Sequence, residues 1–516
     1  MVESLSAHDV LSSASTEQAL LDRIALQEKQ AFDRLSRFEP TSSTLAWLDN
    51  LRTIEECINL QTVHWNDNDF SSRLFGMPVA GLVHDLAPLM ELHTRLTERF
   101  SIPFANRFRQ LMLQASSMAT SFISQGMGEV ADAMHNLASL IGYLQSRRRH
   151  FVALLHVLPT ACRGNVRIGP LEALTVMLPI VEFTGIPMMS AHGGLMARLA
   201  RESLGLPVKS GVEIPMLDAG FLEPERSRID ELRWSDAGYK HFYAMREPLR
   251  PDRLFSAAEL RNDIVTIEAA YAEFDLTGSD FAIAAGLVRR LSRQCVVRDF
   301  WVEIAPDVFE LMLGAAKAPA ALRAALVRPA SSYMEGLSSY APFVQVDGML
   351  RTTVTLLSRF IYKWRVRTLD SRKRYQIRTG FIFETVVKDR LTEQGFVVQD
   401  IKRINRREFD VVTVLEGVVW NVQCKNNFVD LAAVDSDARR FARYNRALVK
   451  AYEKALNKER LREHLLQARL SIDNVQHMVV ARFPVVSEDP RIVPFSRIDE
   501  FVSRARALLA QTATRG

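Results

Sequence analysis

Three short runs between Phe396 and Asn426 limit the possible folds more than any other part of the chain. They read "FVVQDIKRI", "EFDVVTVLE" and "VVWNVQCKN", with Glu416-Gly417 as a turn between the last two. Valine-rich segments bounded by turn residues favour strands. These strands are apolar on both faces, so a mixed sheet covered by helices is expected. The helical covers are legible on either side. From about Arg374 to Gln394, Ile382, Phe383, Val386, Val387 and Leu391 make one stripe, and Gly395 stops it. A long helix is expected from about Asp435 to Leu470, then a strand over Val475 to Phe483. The order is α-β-β-β-α-β, giving an α/β domain over residues 366–485 and a helical tail over 486–516.

Upstream, residues 1–365 read as mostly α-helical, divided into two subdomains. A chain of 516 residues exceeds one ordinary core. Glu17 to Phe38 is amphipathic, Ser256 and Glu259 form a capping box, and Ser279-Asp280 caps another helix. "VDGMLRTTVTLLSRFIYKWRVR" reads as the last helix before the rhythm changes. "GLPVKSGVEIPMLDAGFLEPERS" reads as an extended connection, and "AHGG" (Ala191 to Gly194) as a turn. Four separate cysteines without ligand spacing predict reduced thiols and a cytoplasmic protein. The N-terminus lacks the pattern of a secretory signal, and the apolar runs Gln110–Gly128 and Leu171–Met189 are diluted or broken, so no membrane association is expected.

Charge is unevenly spread. Residues 361–516 hold 30 Lys and Arg against 19 Asp and Glu, a balance of +11, which leaves residues 1–360 at −6 within the total of +5. A basic C-terminal third favours a polyanionic partner. The segment Lys363 to Arg378 is especially basic, with Arg374 and Arg378 at its end.

The strand "VVWNVQCKNN" adds chemistry to that charge. Alternation sends Val418, Trp420, Val422 and Cys424 to one face and Asn421, Gln423 and Lys425 to the other. Asp410 is a lone charge in the preceding apolar strand, an expensive placement unless a cation meets it. Glu384 borders the apolar stripe of the helix before the sheet.

An acid on that helix, an acid on a strand and a Gln-x-Lys on the next strand make a recognisable set. Through Glu384 in "GFIFE", Asp410 in "FDVV" and Gln423 with Lys425 in "VQCK", residues 374–483 resemble the PD-(D/E)xK nuclease superfamily. They are most similar to its Mrr-like restriction endonuclease branch, where Gln commonly replaces the second acid. The resemblance implies a restriction-endonuclease-like domain that cuts DNA with Mg²⁺ or Mn²⁺ in defence against foreign DNA. It implies catalytic roles for Glu384, Asp410, Gln423 and Lys425. The metal ligands implied are Asp410, Gln423, the Cys424 backbone carbonyl and, through water, Glu384. Such an ion takes hard oxygen ligands, and Lys425 would orient the attacking water. The Cys424 side chain is expected in the core.

On the helix after the third strand, Arg439, Arg443, Arg446 and Lys450 share one face, with Arg440 and Tyr444 beside it. They are candidates, with Arg374 and Arg378, for contact with nucleic-acid phosphates. DNA is the expected partner, RNA is not excluded, and double-strand cutting favours a homodimer. Two other readings carry weight: a nuclease-fold module that binds DNA without cutting it, and a helical scaffold in which residues 1–360 bind a protein partner. No Walker loop or HExxH helix is present, which argues against a nucleotide-driven motor or a zincin.

Overall fold

The computed structural model describes residues 17–513 apart from 83, 208–245, 250–251, 428, 430–433 and 435. The connection expected within 205–227 therefore lies, from residue 208 onward, outside the described residues. The chain divides into two compact units. One holds residues 17–24, 189–207 and 369–513, and the other holds most of 25–188 and 246–368. Two upstream segments thus group with the C-terminal part, which a linear division at 365 does not anticipate.

The larger unit is mainly helical, as its periodicity requires. Ser256 and Glu259 close the expected capping box on Ala257–Ala270, and Ser279 caps Asp280–Gln294. It also contains a four-stranded antiparallel sheet in the order Val296–Val297, Trp301–Ile304, Met349–Thr353, Val344–Val346. The run read as one helix from Val346 therefore begins as a hairpin. Asp347 and Gly348, both at positive φ, form its turn, and the helix starts only at Val354. Adjacent positive-φ residues suit the turn of a tight hairpin. Ala191 to Gly194, expected as a turn, instead lie within the helix Ile186–Ser203. Among the described residues one helical run, Pro170–Ser203, is long and apolar enough to cross a membrane, and 56% of its most apolar window is buried within the protein.

The C-terminal unit is built on a five-stranded mixed sheet. Helix α1 (Lys373–Glu393) ends before Gly395, whose φ is +90°. Strand β1 (Val397–Gln399) follows, then β2 (Val411–Leu415) and β3 (Val418–Lys425). Helices α2 (Ala438–Arg460) and α3 (Glu463–Leu470) replace the single long helix expected there. Strand β4 (Val475–Ala481), strand β5 (Ile492–Pro494) and helix α4 (Phe501–Ala513) complete the unit. The sheet order is β5-β4-β3-β2-β1, with β3–β4 and β4–β5 parallel and the other pairs antiparallel.

Two expectations need correction here. "FVVQDIKRI" is not one strand: it leaves the sheet after Gln399, and Arg403–Ile404 pairs with Arg407–Glu408 across a turn at Asn405-Arg406. The tail over 486–516 is not only helical. It supplies β5, and Val493, Ile498, Phe501 and Ala505 join Phe383, Val387, Leu391, Val411, Trp420 and Val422 in one buried layer. A smaller cluster of Phe409, Val412, Val419, Leu466 and Val475 covers the opposite face.

Candidate functional site

Strand β3 separates its side chains as alternation requires. Val418, Trp420 and Val422 lie in the layer shared with α1 and α4, and Cys424 packs against it. Burial pushes the Cys424 thiol well above the ordinary range, which suits a core side chain and not a nucleophile. Asn421 turns the other way, where its Nδ2 donates to Glu459 Oε2 at 2.8 Å and lies 3.3 Å from His477 Nδ1. Gln423 and Lys425 follow on this second face. The Lys425 ammonium donates to Gln423 Oε1 at 3.0 Å. Gln423 is only 6% exposed, and its Nε2 has no partner among the described residues. This polar face is therefore mostly buried.

Asp410 stands at the bend immediately before β2, not within it. The ladder pairs Val411 with Val422, and carried one residue further it sets Asp410 across from Gln423. At this point the Asp410 carboxylate takes over from the ladder, accepting the Cys424 N–H at 2.8 Å. The N–H and C=O of one residue leave a strand on the same side. The Cys424 carbonyl therefore also faces the Asp410 side.

Glu384 is held by α1, one residue past the core side chain Phe383. Its pKa is pushed up to about 7, first by burial and then by the charge on Asp410. Glu408 adds to the rise, while Lys388 and Lys402 oppose it. Asp410 is also raised, chiefly by burial, against the Cys424 N–H, Lys425 and Arg462; Glu459 adds to the rise. Asp410 is thus the common neighbour of the set. Its charge raises Glu384 on α1, and Gln423 and Lys425 rise from the face of β3 opposite Cys424.

Two partly buried carboxylates, one of which raises the proton affinity of the other, suit a hard divalent cation, because such an ion offsets the crowded negative charge. Among the described residues no group of three or more His, Cys, Asp or Glu is arranged to hold a metal. The protein's remaining share would come from neutral oxygens, those of Gln423 and the Cys424 carbonyl.

The basic face of α2 extends past this end of the sheet. Glu459 meets Asn421, Tyr452 Oη donates to Asn427 at 2.7 Å, and Asn445 Nδ2 donates to the Val486 carbonyl at 3.0 Å. The helix therefore runs antiparallel to β3, and its first half lies beyond Lys425. Arg439, Arg443, Tyr444, Arg446 and Lys450 are exposed there, and Arg440 is partly exposed. Arg439 pairs with Glu17 at 2.9 Å. Arg446 and Lys450 line a cavity of about 560 Å³ that also carries Glu202, Glu453, Glu488 and Asp489, so acids share this part of the stripe. Arg374 is exposed and Arg378 partly buried on the first turns of α1.

Periodicity did not single out a second polar layer beneath the site. Glu459 is 1% exposed and accepts from both Asn421 and Arg462, while His477 Nε2 lies 3.2 Å from Glu463 Oε2. In sequence Glu459 sits among Lys454, Lys458 and Arg460 and looks like surface charge. Its one signal is its place on the α2 stripe of Tyr452 and Leu456. No protein-family model, curated protein or solved structure matches this chain.

Proposed function

We propose that the protein is a metal-dependent endonuclease that hydrolyses DNA phosphodiester bonds. In this reading its C-terminal unit is an Mrr-like PD-(D/E)xK domain acting in defence against foreign DNA. The observation that carries the reading is the position of Asp410, bonded to the Cys424 N–H, opposite Gln423 in register and electrostatically coupled to Glu384 and Lys425.

Asp410, Gln423 and the Cys424 carbonyl, with Glu384 through a water, are the groups that would hold Mg²⁺ or Mn²⁺. When bound, the ion neutralises charge that develops on the phosphate as the bond breaks. Lys425 orients the attacking water and offsets charge on the phosphate. The water oxygen bonds to phosphorus, and its proton leaves with the departing sugar oxygen. The exposed cations of α2 grip flanking phosphates, and a second copy of the chain cuts the other strand.

Plasmid incubated with protein and Mg²⁺ tests this. Asp410→Ala and Lys425→Ala are each expected to lower cleavage by about 100-fold or more with folding intact. Undiminished cutting by both variants overturns the assignment.

One observation favours a second reading, a DNA-binding module without catalysis. Lys425 already occupies Gln423 Oε1, the oxygen a metal would need. That module would bind DNA with a steep salt dependence, without metal, and equally well after Asp410→Ala.

A further inference from the structure

The β2–β3 ladder ends at the Val411–Val422 pair, just short of the candidate site. Beyond it the Asp410 carboxylate ties the two strands by accepting the Cys424 N–H. Something else must keep the entry to β2 from swinging away from β3.

Beneath this point lies the Glu459–Arg462 pair. Glu459 is 1% exposed, and Arg462 Nε donates to its Oε2 at 2.8 Å, with a second bond to Oε1. The same Oε2 accepts from Asn421, two residues before Gln423 on β3. The Arg462 guanidinium lies over the ring of Phe409 at 4.8 Å, and Phe409, itself 3% exposed, directly precedes Asp410. One buried carboxylate thus reaches β3 through an amide and the head of β2 through a stacked guanidinium. Planar stacking and a two-point bond fix orientation in a way a flexible ammonium does not.

We propose that Glu459 and Arg462 are positioning residues that clamp the Phe409-Asp410 entry against Asn421 and so set the separation of Asp410 from Gln423. The inference rests on the metal-site part of the nuclease reading. Outer residues of this kind orient metal-binding groups, and their loss typically weakens metal affinity or activity about 10- to 100-fold.

The test is Mn²⁺ binding to the full chain, followed by electron paramagnetic resonance, with circular dichroism as a check on folding. The double variant Glu459→Gln/Arg462→Gln leaves net charge unchanged and no charge buried alone, so a loss of affinity reports geometry. At least a tenfold weaker affinity with an unaltered fold is expected. Arg462→Lys, which keeps a cation on Glu459 but loses the flat stack on Phe409, is expected to fall between wild type and the double variant. It carries the test if the double variant does not fold. Wild-type affinity in the folded variants overturns this inference and leaves the nuclease reading standing. Mn²⁺ binding by wild type without plasmid cleavage overturns the nuclease reading alone, and absence of Mn²⁺ binding by wild type overturns both.

Discussion

The helical unit and the candidate site of the sheet unit treat buried charge in opposite ways. In the helical unit, Glu182 accepts from Tyr143 Oη and Arg147 Nε, both at 2.7 Å, and Glu56 lies between Arg52 and Arg107. Arg148 closes on Glu55 in the same manner. Each acid there meets a cation, so the arrangement satisfies itself. At the candidate site burial instead raises both Glu384 and Asp410, the Asp410 charge adds to the rise at Glu384, and neither acid forms a salt bridge among the described residues. Complete pairing is what a scaffold needs. Buried acids left without a salt bridge store unfavourable energy that a ligand can release, and perturbed groups of this kind cluster at functional sites.

That contrast can be broken most forcefully at Glu182. Arg147→Ala should cost about 3 kcal/mol in urea unfolding, because it leaves a nearly inaccessible carboxylate without its cation. A loss below about 1 kcal/mol would mean the helical unit does not depend on its pairs.

Acid provides the next test, and one buried group in each unit should respond with opposite sign. His156 is fully buried and depressed to about 4, mainly by burial, with Arg359 adding. Below its unfolded pKa of about 6.5, the unfolded chain takes up a proton that the folded chain refuses. Stability of the helical unit should therefore fall as pH drops from 6.5 towards 4, by about 3 kcal/mol for this group. Glu384 behaves in reverse: its folded pKa is raised, so the sheet unit should lose stability as pH climbs from about 4.5 to about 7. Amide hydrogen exchange, read region by region across this range, measures both slopes. Slopes of the same sign would remove the contrast.

A finer test is Glu384→Gln. At pH 8 the metal-free variant should be more stable than wild type by about 1 kcal/mol, a value reduced for partial exposure. Added Mg²⁺ should raise the melting temperature of wild type and have little effect on the variant. The smallest effect is expected at Arg439, whose partner Glu17 is on the surface. Arg439→Ala should change stability by less than about 0.5 kcal/mol and reduce the slope of DNA affinity against salt by about one.

Much of the sheet unit was legible because its signals are long or sharp. The α1 stripe from Ile382 to Leu391 ends at Gly395, and β3 shows strict alternation before Asn427. Asp410 stands out because it is charged among valines, although the register that sets it opposite Gln423 depends on ladder geometry absent from a one-dimensional pattern. The sheet in the helical unit was missed because its strands are two to five residues long. Met349–Thr353 also runs into the next helix without a Gly or Pro break. Strand β5 is three residues long and follows two prolines, so it gives no strand signal within a tail that reads as helical. Glu459 was hidden for another reason: a single buried acid on a highly charged helix has no signature until its neighbours in space are known.

The parallel pairing of β5 with β4 has a consequence for how the protein is made. Before residues 492–494 leave the ribosome, β4 is a bare, valine-rich margin whose backbone groups can bond to any extended chain nearby. Phe501 and Ala505, which help close the layer behind Trp420, emerge later still. Synthesis thus passes through an interval in which most of the unit exists but its adhesive border is uncovered. Nascent chains stalled before Ile492 should be a preferred target for chaperones.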